Sequence, residues 1–412
     1  MPSPVNPPRG MRDFLPVEKS RRERVLATIK DVYRRHGFDE IETPALEDIA
    51  RLHSGIGGDN EKLAYSVLKR GIGPEDLQDA ATAGDALRLA DLGLRYDLTV
   101  PLARYYASHR AELPTVFRAL QTGPVWRAER PQKGRYRQFV QCDIDILGEA
   151  GPLAELELIS ATVAALTAVG LTGMTVRLND RRILSRLLEH WGIPGHFGER
   201  ALITIDKLDK VGVDGVVAEL GELGVHTDGI AESLRAIESA GWQLEDAPPE
   251  WLDVDAYRHL LDLRAALPDV ALVFDPTLVR GMGYYTGTIF EVAHPGSGSS
   301  VAGGGRYDGM IGRFLGTDVP AVGFSIGFER ILDLLEDGGS DTGGVVLVHA
   351  ADTAPERLIA AKRELLETAP RVRLERRPRN LKGLLDSAAS SGYTGFVTLD
   401  GDGALGDVRP LT

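Results

Sequence analysis

Between Pro16 and His36 the apolar residues Val25, Leu26, Ile29, Val32 and Tyr33 recur at i, i+1, i+4, i+7 and i+8, and charged residues fill the remainder. That period predicts an amphipathic helix, with Gly37 as its stop. A second helix is expected from Pro152, along the face Leu156, Ile159, Val163 and Leu166, to Gly170. Between these helices the period falls to 2. In residues 92–99, LGLRYDLT, the apolar Leu92, Leu94, Tyr96 and Leu98 alternate with Gly93, Arg95, Asp97 and Thr99, so a strand would set Asp97 and Thr99 on its polar face. Residues 139–146, FVQCDIDI, repeat the alternation, with Val140, Cys142, Ile144 and Ile146 on one side and Phe139, Gln141, Asp143 and Asp145 on the other. The plain reading of two such strands is an antiparallel sheet with one solvated face.

Residues 171–264 read mostly as helix, an inserted unit with charged stretches such as DKLDKVGVDG. Residues 273–334 return to strand-like, Gly-rich sequence and close in a helix near Glu329. The small and polar stretch 337–344, DGGSDTGG, reads as a linker. After it come VVLVHA, a helix with Leu358, Ala361 and Leu365 on one face, VRLER, a helix around Leu381–Ala389, and GFVTL. That order predicts a small α/β domain with a parallel sheet over 345–412.

Composition narrows the class. Cys142 is the single cysteine, so no intramolecular disulfide forms, and the scattered histidines have no zinc-ligand spacing; no resident metal is expected. No apolar run approaches the roughly 18–20 residues that span a bilayer, and MPSPVNPPRG lacks a basic start followed by an apolar segment. A cytoplasmic chain without membrane association is expected. The balance of 47 basic and 60 acidic residues, net −13, argues against non-specific adhesion to nucleic acid. Screening over about 8 Å nevertheless leaves local basic sites effective. There is no GxxxxGK[ST] loop and no GxGxxG, so the common nucleotide folds are not indicated.

Four segments carry candidate chemistry. In 126–139, WRAERPQKGRYRQF, Arg127, Arg130, Lys133, Arg135 and Arg137 crowd around a Pro and a Gly. Such a hairpin can neutralise phosphates, and Arg suits the work because its planar fork pairs with phosphate oxygens. A solvated basic hairpin is the plainer alternative. Its continuation into Gln141 and Asp145 sets cations beside acceptors, and Asp97, Thr99 and Gln141 are the acceptors an α-ammonium needs. In 278–292, LVRGMGYYTGTIFEV, Arg280 precedes adjacent Tyr284 and Tyr285, which a strand would split between faces, one lining a pocket and one packing. The glycines of 301–309, VAGGGRYDG, let backbone approach a ligand closely. In 323–330, GFSIGFER, Glu329 and Arg330 stand at a helix start that favours an anion.

Together these segments resemble the class II aminoacyl-tRNA synthetases, and within them the histidyl-tRNA synthetase family, over nearly the whole chain. RGMRDFLP with GFDEIETPALE is similar to the class's first motif, which in the family forms the dimer interface; WRAERPQKGRYRQF is similar to the second and GFSIGFER to the third. LVRGMGYYTG and AGGGRYDG resemble the two histidine-specific motifs, which discriminate this family from its class.

The resemblance implies an α+β fold: an antiparallel-sheet catalytic core over 1–170 and 265–336, a helical insertion over 171–264, a linker over 337–344 and a shortened anticodon-binding-like α/β domain over 345–412. It implies a homodimer that joins L-histidine to tRNA(His) at the expense of ATP, with Mg2+ on the departing pyrophosphate. Arg127 would hold the α-phosphate and carboxylate region, with Arg280 opposite; these are the catalytic pair. Glu129 and Arg135 would contact ATP, Phe139 would stack on adenine, and Arg330 would lie on its other side or on the phosphates. Asp97, Thr99 and Gln141 would bind the α-ammonium, while Asp145 and Tyr285 would bind the imidazole, with Tyr284 completing the pocket. Arg130 and Gln132 would meet the tRNA acceptor end.

Gly283 stands where many family members have Asp, and Asp97 where many bacterial members have Glu; RYDLTVPLARYYA resembles the eukaryote-like branch. Arg373, Arg376, Arg377, Arg379 and Lys382 give the C-terminal domain a basic stripe suited to RNA phosphates. The competing reading is the histidine-binding regulatory subunit of ATP phosphoribosyltransferase, which shares the catalytic fold. The arginines at 127, 135, 280 and 330 and the C-terminal domain stand against it.

Overall fold

The computed structural model describes residues 5–56, 62–131, 134–244, 248–281, 284–336, 343–400 and 404–411. It divides into one compact unit, Met1–Arg12 with Thr28–Leu334, and a second, Asp13–Ala27 with Leu335–Thr412.

The elements begin with α1 (Pro16–Arg35), β1 (Asp39–Glu40), β2 (Leu46–Asp48), α2 (Ile49–Ile56), β3 (Tyr65–Leu68), α3 (Pro74–Ala83), β4 (Ala90–Leu94) and α4 (Thr99–His109). A long hairpin, β5 (Phe117–Trp126) and β6 (Gln138–Leu147), leads to α5 (Leu153–Ala168) and β7 (Thr175–Asp180). Helices α6 (Arg181–His190), α7 (Gly195–Ile205), α8 (Leu208–Glu222), α9 (Ile230–Ala240) and α10 (Val254–Ala266) follow. The unit ends with β8 (Leu272–Phe274), β9 (Thr288–Ala293), β10 (Ala302–Arg306), α11 (Asp308–Leu315), β11 (Ala321–Gly327) and α12 (Phe328–Leu334).

Eight of these strands form one sheet in the order β1-β5-β6-β11-β10-β9-β7-β8. Its centre is antiparallel throughout, and only the edge pairs β1–β5 and β7–β8 are parallel. Helix α5 covers one face with the buried Leu158, Ile159, Ala165 and Leu166. Each such fully buried Leu or Ile contributes about 1.5–3 kcal/mol. In α1, Ile29, Val32 and Tyr33 are buried as their spacing predicts.

Two expectations need correction here. LGLRYDLT is not one strand: β4 ends at Leu94 and Thr99 opens α4. Pro101 fits a first helical turn, where no N–H is needed, and burial then falls on Val100, Leu102, Ala103 and Tyr106, a helical spacing. The stretch 171–264 is helical only after its start, because Thr175–Asp180 alternates Val176 and Leu178 inward and pairs with β9 in the main sheet. Of the five helices that follow, α6 to α9 bury a cluster around Leu184, Leu202, Val216, Leu220 and Leu234, which Leu278, Val279 and Ile289 join.

In the second unit β12 (Val345–His349), α13 (Pro355–Leu366), β13 (Val372–Arg376), α14 (Leu381–Ser390), β14 (Gly395–Leu399) and β15 (Arg409–Pro410) build a sheet in the order β13-β12-β14-β15. The first three strands are parallel, as predicted, and β15 adds an antiparallel edge. Alternation along β12 sends Val345 and Leu347 toward Ala361 and Leu365, and Val346 and Val348 toward Ala388. Residues 337–342 of the expected linker lie outside the described residues.

Candidate active site

A cleft of about 450 Å3 opens on the main sheet, and β6 supplies its floor. Because side chains on a strand alternate, Gln141, Asp143 and Asp145 fall in one row facing the cleft. The expectation of a solvated polar face fails: these three are only 8%, 4% and 3% exposed. Their cross-strand neighbours on β11 are Gly327, Ser325 and Gly323, and a Cβ at Gly323 would run into the Asp145 carboxylate. The glycine is what lets a buried acid sit there.

Burial is also the main force on the acids' protonation. It pushes Asp145 up to about 7, against the Tyr307 hydroxyl, which donates to Asp145 Oδ1 at 2.6 Å, and with help from the nearby Asp97. Asp143 is raised well above its ordinary range by burial and then by Asp145. Asp97 is raised by burial, although it accepts from the Val100 N–H at 3.0 Å at the start of α4. Thr99 lines the cleft from the same helix start.

The same cleft is lined by four arginines. Arg127 lies over the rings of Tyr96 (4.3 Å) and Phe139 (5.1 Å) and donates to Tyr96 O at 3.2 Å. Arg280 pairs with Glu291 and reaches Ser300 Oγ at 3.3 Å. Arg330 donates to Ser300 O at 2.6 Å, so one serine fixes two guanidiniums. A Cβ at Gly303 would strike the Arg280 guanidinium, which explains a glycine at that place in β10. Arg135 stands 3.8 Å from Glu129. Burial and then the neighbouring charges of Arg280 and Arg135 lower Arg330, the signature of a cationic field waiting for an anion.

Tyr284 and Tyr285 do not lie on a strand. Gly281 takes φ +56°, and the N–H groups of Tyr284 and Tyr285 both turn back to Gly281 O at 3.2 Å. The tight turn keeps the two rings together, 4.3 Å between centroids, rather than sending them to opposite faces. Both line the cleft beside Asp97, Arg127 and Arg280. Arg130 is exposed on the basic loop, whereas Gln132 and Gly283 lie outside the described residues.

Three contributors were not singled out from the sequence. Tyr307 lies in VAGGGRYDG, where only the glycines drew notice, and its place beside Asp145 depends on the β6–β11 pairing. Asp143 was visible on the polar face but was given no role. Arg12, in the segment resembling a dimer motif, lies 3.6 Å over the Tyr136 ring and pairs with Glu329, whose other oxygen accepts from the Val140 N–H at 3.3 Å. The N–H of Arg137 donates to Gly10 O at 2.8 Å, so this segment braces the basic loop.

Residues 10–331 match the family model described as histidyl-tRNA synthetase. The chain is 58% identical over 431 aligned residues to a histidine–tRNA ligase of Leifsonia xyli subsp. xyli (strain CTCB07), covering all of both chains. Among solved structures it is similar to histidyl-tRNA synthetase from Nostoc sp. PCC 7120, with a TM-score of 0.76, 26% identity, 97% of this chain and 92% of that one. It also shares a fold with an ATP phosphoribosyltransferase regulatory subunit/histidyl-tRNA synthetase from Bacillus halodurans C, with a TM-score of 0.75, 22% identity, 97% of this chain and 99% of that one.

Proposed function

The chain belongs to the histidyl-tRNA synthetase family, and from that premise we propose how its cleft performs the reaction. The protein is an ATP-dependent histidine–tRNA ligase, which activates L-histidine with ATP and passes the histidyl group to the 3′ end of tRNA(His). The observation that carries the assignment of parts is one cleft lined both by a row of buried acceptors and by four arginines.

In the first step a carboxylate oxygen of histidine attacks the α-phosphorus in line, the bond to the bridging oxygen breaks, and pyrophosphate leaves. No protein base is needed, since the attacking carboxylate is already ionised. The protein's work is placement and charge stabilisation. We assign Arg127 and Arg280 to the two sides of the α-phosphate: rings and a backbone carbonyl hold the one, Glu291 and Ser300 the other. Preplaced donors of this kind are worth about 10²–10³ in rate each. Arg135, Glu129 and Arg330 are assigned to ATP, with Phe139 under the adenine.

Magnesium would arrive with ATP and neutralise charge on the pyrophosphate. Among the described residues no group of three or more His, Cys, Asp or Glu side chains is placed to hold a metal, and Glu129 is the carboxylate we assign beside the pyrophosphate. Asp145 and Tyr285 take the imidazole, because buried acceptors left unpaired by any other side chain would penalise its binding. Tyr284 closes that pocket, and Asp97, Thr99 and Gln141 surround the α-ammonium.

For the second step Arg130 and Gln132 are assigned to the acceptor end of tRNA. The exposed Arg376, Arg377, Arg379 and Lys382 of the second unit suit the phosphates of its anticodon arm. We place the protein in the cytoplasm as a homodimer. The β2–β4–β3 sheet supports a second copy, because it exposes Leu46, Leu68 and Leu92. The regulatory-subunit alternative is left with a shared fold alone, and a regulator that makes no adenylate has no use for four arginines around a phosphate site.

The test is exchange of pyrophosphate into ATP with each amino acid in turn. Exchange that depends on histidine alone is expected. Histidine binding without exchange would reject the ligase reading in favour of the regulatory one.

A further inference from the structure

Next to Tyr307 in the chain, and not among the residues that line the cleft, is a buried ion pair. Arg306, the last residue of β10, is only 9% exposed, and Glu155, in the first turn of α5, is fully buried. The guanidinium donates from Nε and Nη2 to the two oxygens of Glu155, each at 2.8 Å. Its other N–H groups go to Gly151 O at 3.2 Å and, from Nη1, to Glu149 O and Asp308 Oδ1 at 3.3 Å. Every donor of the fork is thereby engaged, and together they join the 149–155 segment to the end of β10. His259 of α10 stands 3.9 Å from Glu155 Oε1, too far for a hydrogen bond, so the carboxylate leans on Arg306.

The same clamp reaches the backbone around Tyr307. Asp308 Oδ1, which accepts from Arg306, also accepts from the Ala321 N–H at 2.9 Å, and the Tyr307 N–H donates to Ala321 O at 2.7 Å. Arg306 O accepts from the Thr286 N–H at 2.7 Å, at the exit of the turn that carries Tyr284 and Tyr285. Tyr307 is thus held from both sides, its ring lies against Gly323, and its hydroxyl meets Asp145 Oδ1 at 2.6 Å. Against an apolar pair of the same volume a buried ion pair adds little stability. What the planar fork supplies instead is direction, which an ammonium or an apolar side chain does not.

We propose that Arg306, held by Glu155, is a positioning residue for the imidazole end of the substrate: it sets the backbone of Tyr307 so that the hydroxyl engages one oxygen of Asp145 and leaves the other to the ring. The inference rests on the ligase reading and deepens it. Neither member of the pair lines the cleft, so its effect on histidine passes through Tyr307.

The test separates placement from stability. Replacing both partners at once, Arg306→Met with Glu155→Leu, leaves no buried charge without its partner and should keep the fold, as read by circular dichroism and melting. In histidine-dependent pyrophosphate exchange this variant should show the KM for histidine raised about two- to tenfold, the effect of one hydrogen bond, and the KM for ATP changed by less than about twofold. Tyr307→Phe should lose as much, and combining it with the paired replacement should lose no more than either, because residues that act as one unit do not add. An unchanged KM for histidine in the folded paired variant would overturn the proposal. So would losses that add to those of Tyr307→Phe, or an equal rise in the KM for ATP. Should the apolar pair fail to fold, Arg306→Lys keeps the charge, gives up the fork and is read by the same cycle with Tyr307→Phe. If the wild type shows no histidine-dependent exchange, the ligase reading fails separately, and calorimetry of histidine binding to the same variants still decides the positioning role.

Discussion

The cleft is lined by two kinds of titratable group, guanidiniums and buried carboxyls, and each is held in place differently. At the proposed nucleotide end, guanidiniums are held by hydrogen-bond partners of the protein itself: Glu291 for Arg280, the serine at 300 for Arg280 and Arg330, Tyr96 O for Arg127. At the amino-acid end, carboxyls are buried with few partners, and their protons are held to unusually high pH. One end is therefore set before ligand arrives, and the other waits for a ligand to complete it. Substitutions should accordingly read out as rate at the first end and as substrate affinity and pH at the second.

The largest effect is expected for Arg280→Ala. Removing a preplaced donor to the transferring phosphoryl group should cost about 10²–10³ in exchange rate, with the fold unchanged by circular dichroism; near-normal turnover in a folded variant would remove Arg280 from its role. At the other end, Asp145→Ala should raise the KM for histidine by roughly tenfold or more and leave ATP nearly untouched. Equal losses in both substrates would erase the division between the ends.

Titration sharpens the same contrast. Asp145 faces Tyr307 and Tyr285 and lies near Asp97 and Asp143, and it ionises at about 7. Only its ionised form accepts from a neutral imidazole, so histidine binding should tighten as pH rises through about 7 and level off about one unit above. The ligand's own ring titrates near 6.5, and Asp145→Asn should leave that part alone. Stability runs in the opposite sense. The folded carboxyl keeps its proton to about 7, whereas the unfolded one releases it near 3.8, so this group's contribution is lost as pH climbs between those limits and is constant beyond. Melting scans of wild type against Asp145→Asn isolate it.

Tyr307→Phe should have a smaller effect. It deletes the hydroxyl that holds Asp145 down, so the midpoint of histidine binding should move to higher pH; an unmoved midpoint would deny Tyr307 that influence. The smallest change belongs to the second unit. Arg376→Glu with Arg377→Glu should weaken charging of tRNA several-fold and more steeply at low salt, through lost phosphate contacts, while exchange without tRNA is unaffected. A fall in exchange would show that these arginines serve the cleft rather than RNA.

Arg127 and Arg135 were legible because they crowd into one short segment, where sequence proximity is spatial proximity, whereas Arg280 and Arg330 come from distant segments that the fold brings to the same cleft. The acceptor row was legible on β6, where strict alternation over eight residues matches a real strand. The same alternation misled at 92–99, since Pro101 and the helical burial of Val100, Leu102 and Tyr106 overrule four residues of pattern. It misled again at Tyr284 and Tyr285, where a left-handed glycine sets a turn. Tyr307 and Arg12 were beyond reach for another reason: each meets its partner across well over a hundred residues, through sheet register and an N-terminal segment that no local pattern encodes.

The most direct test of two opposed ends is a crystal structure with a non-hydrolysable histidyl-adenylate analogue. The account predicts the phosphate mimic between Arg127 and Arg280, the amine among Asp97, Thr99 and Gln141, and the imidazole between Asp145 and Tyr285. An imidazole lodged among the arginines, or a phosphate mimic touching neither Arg127 nor Arg280, would contradict it.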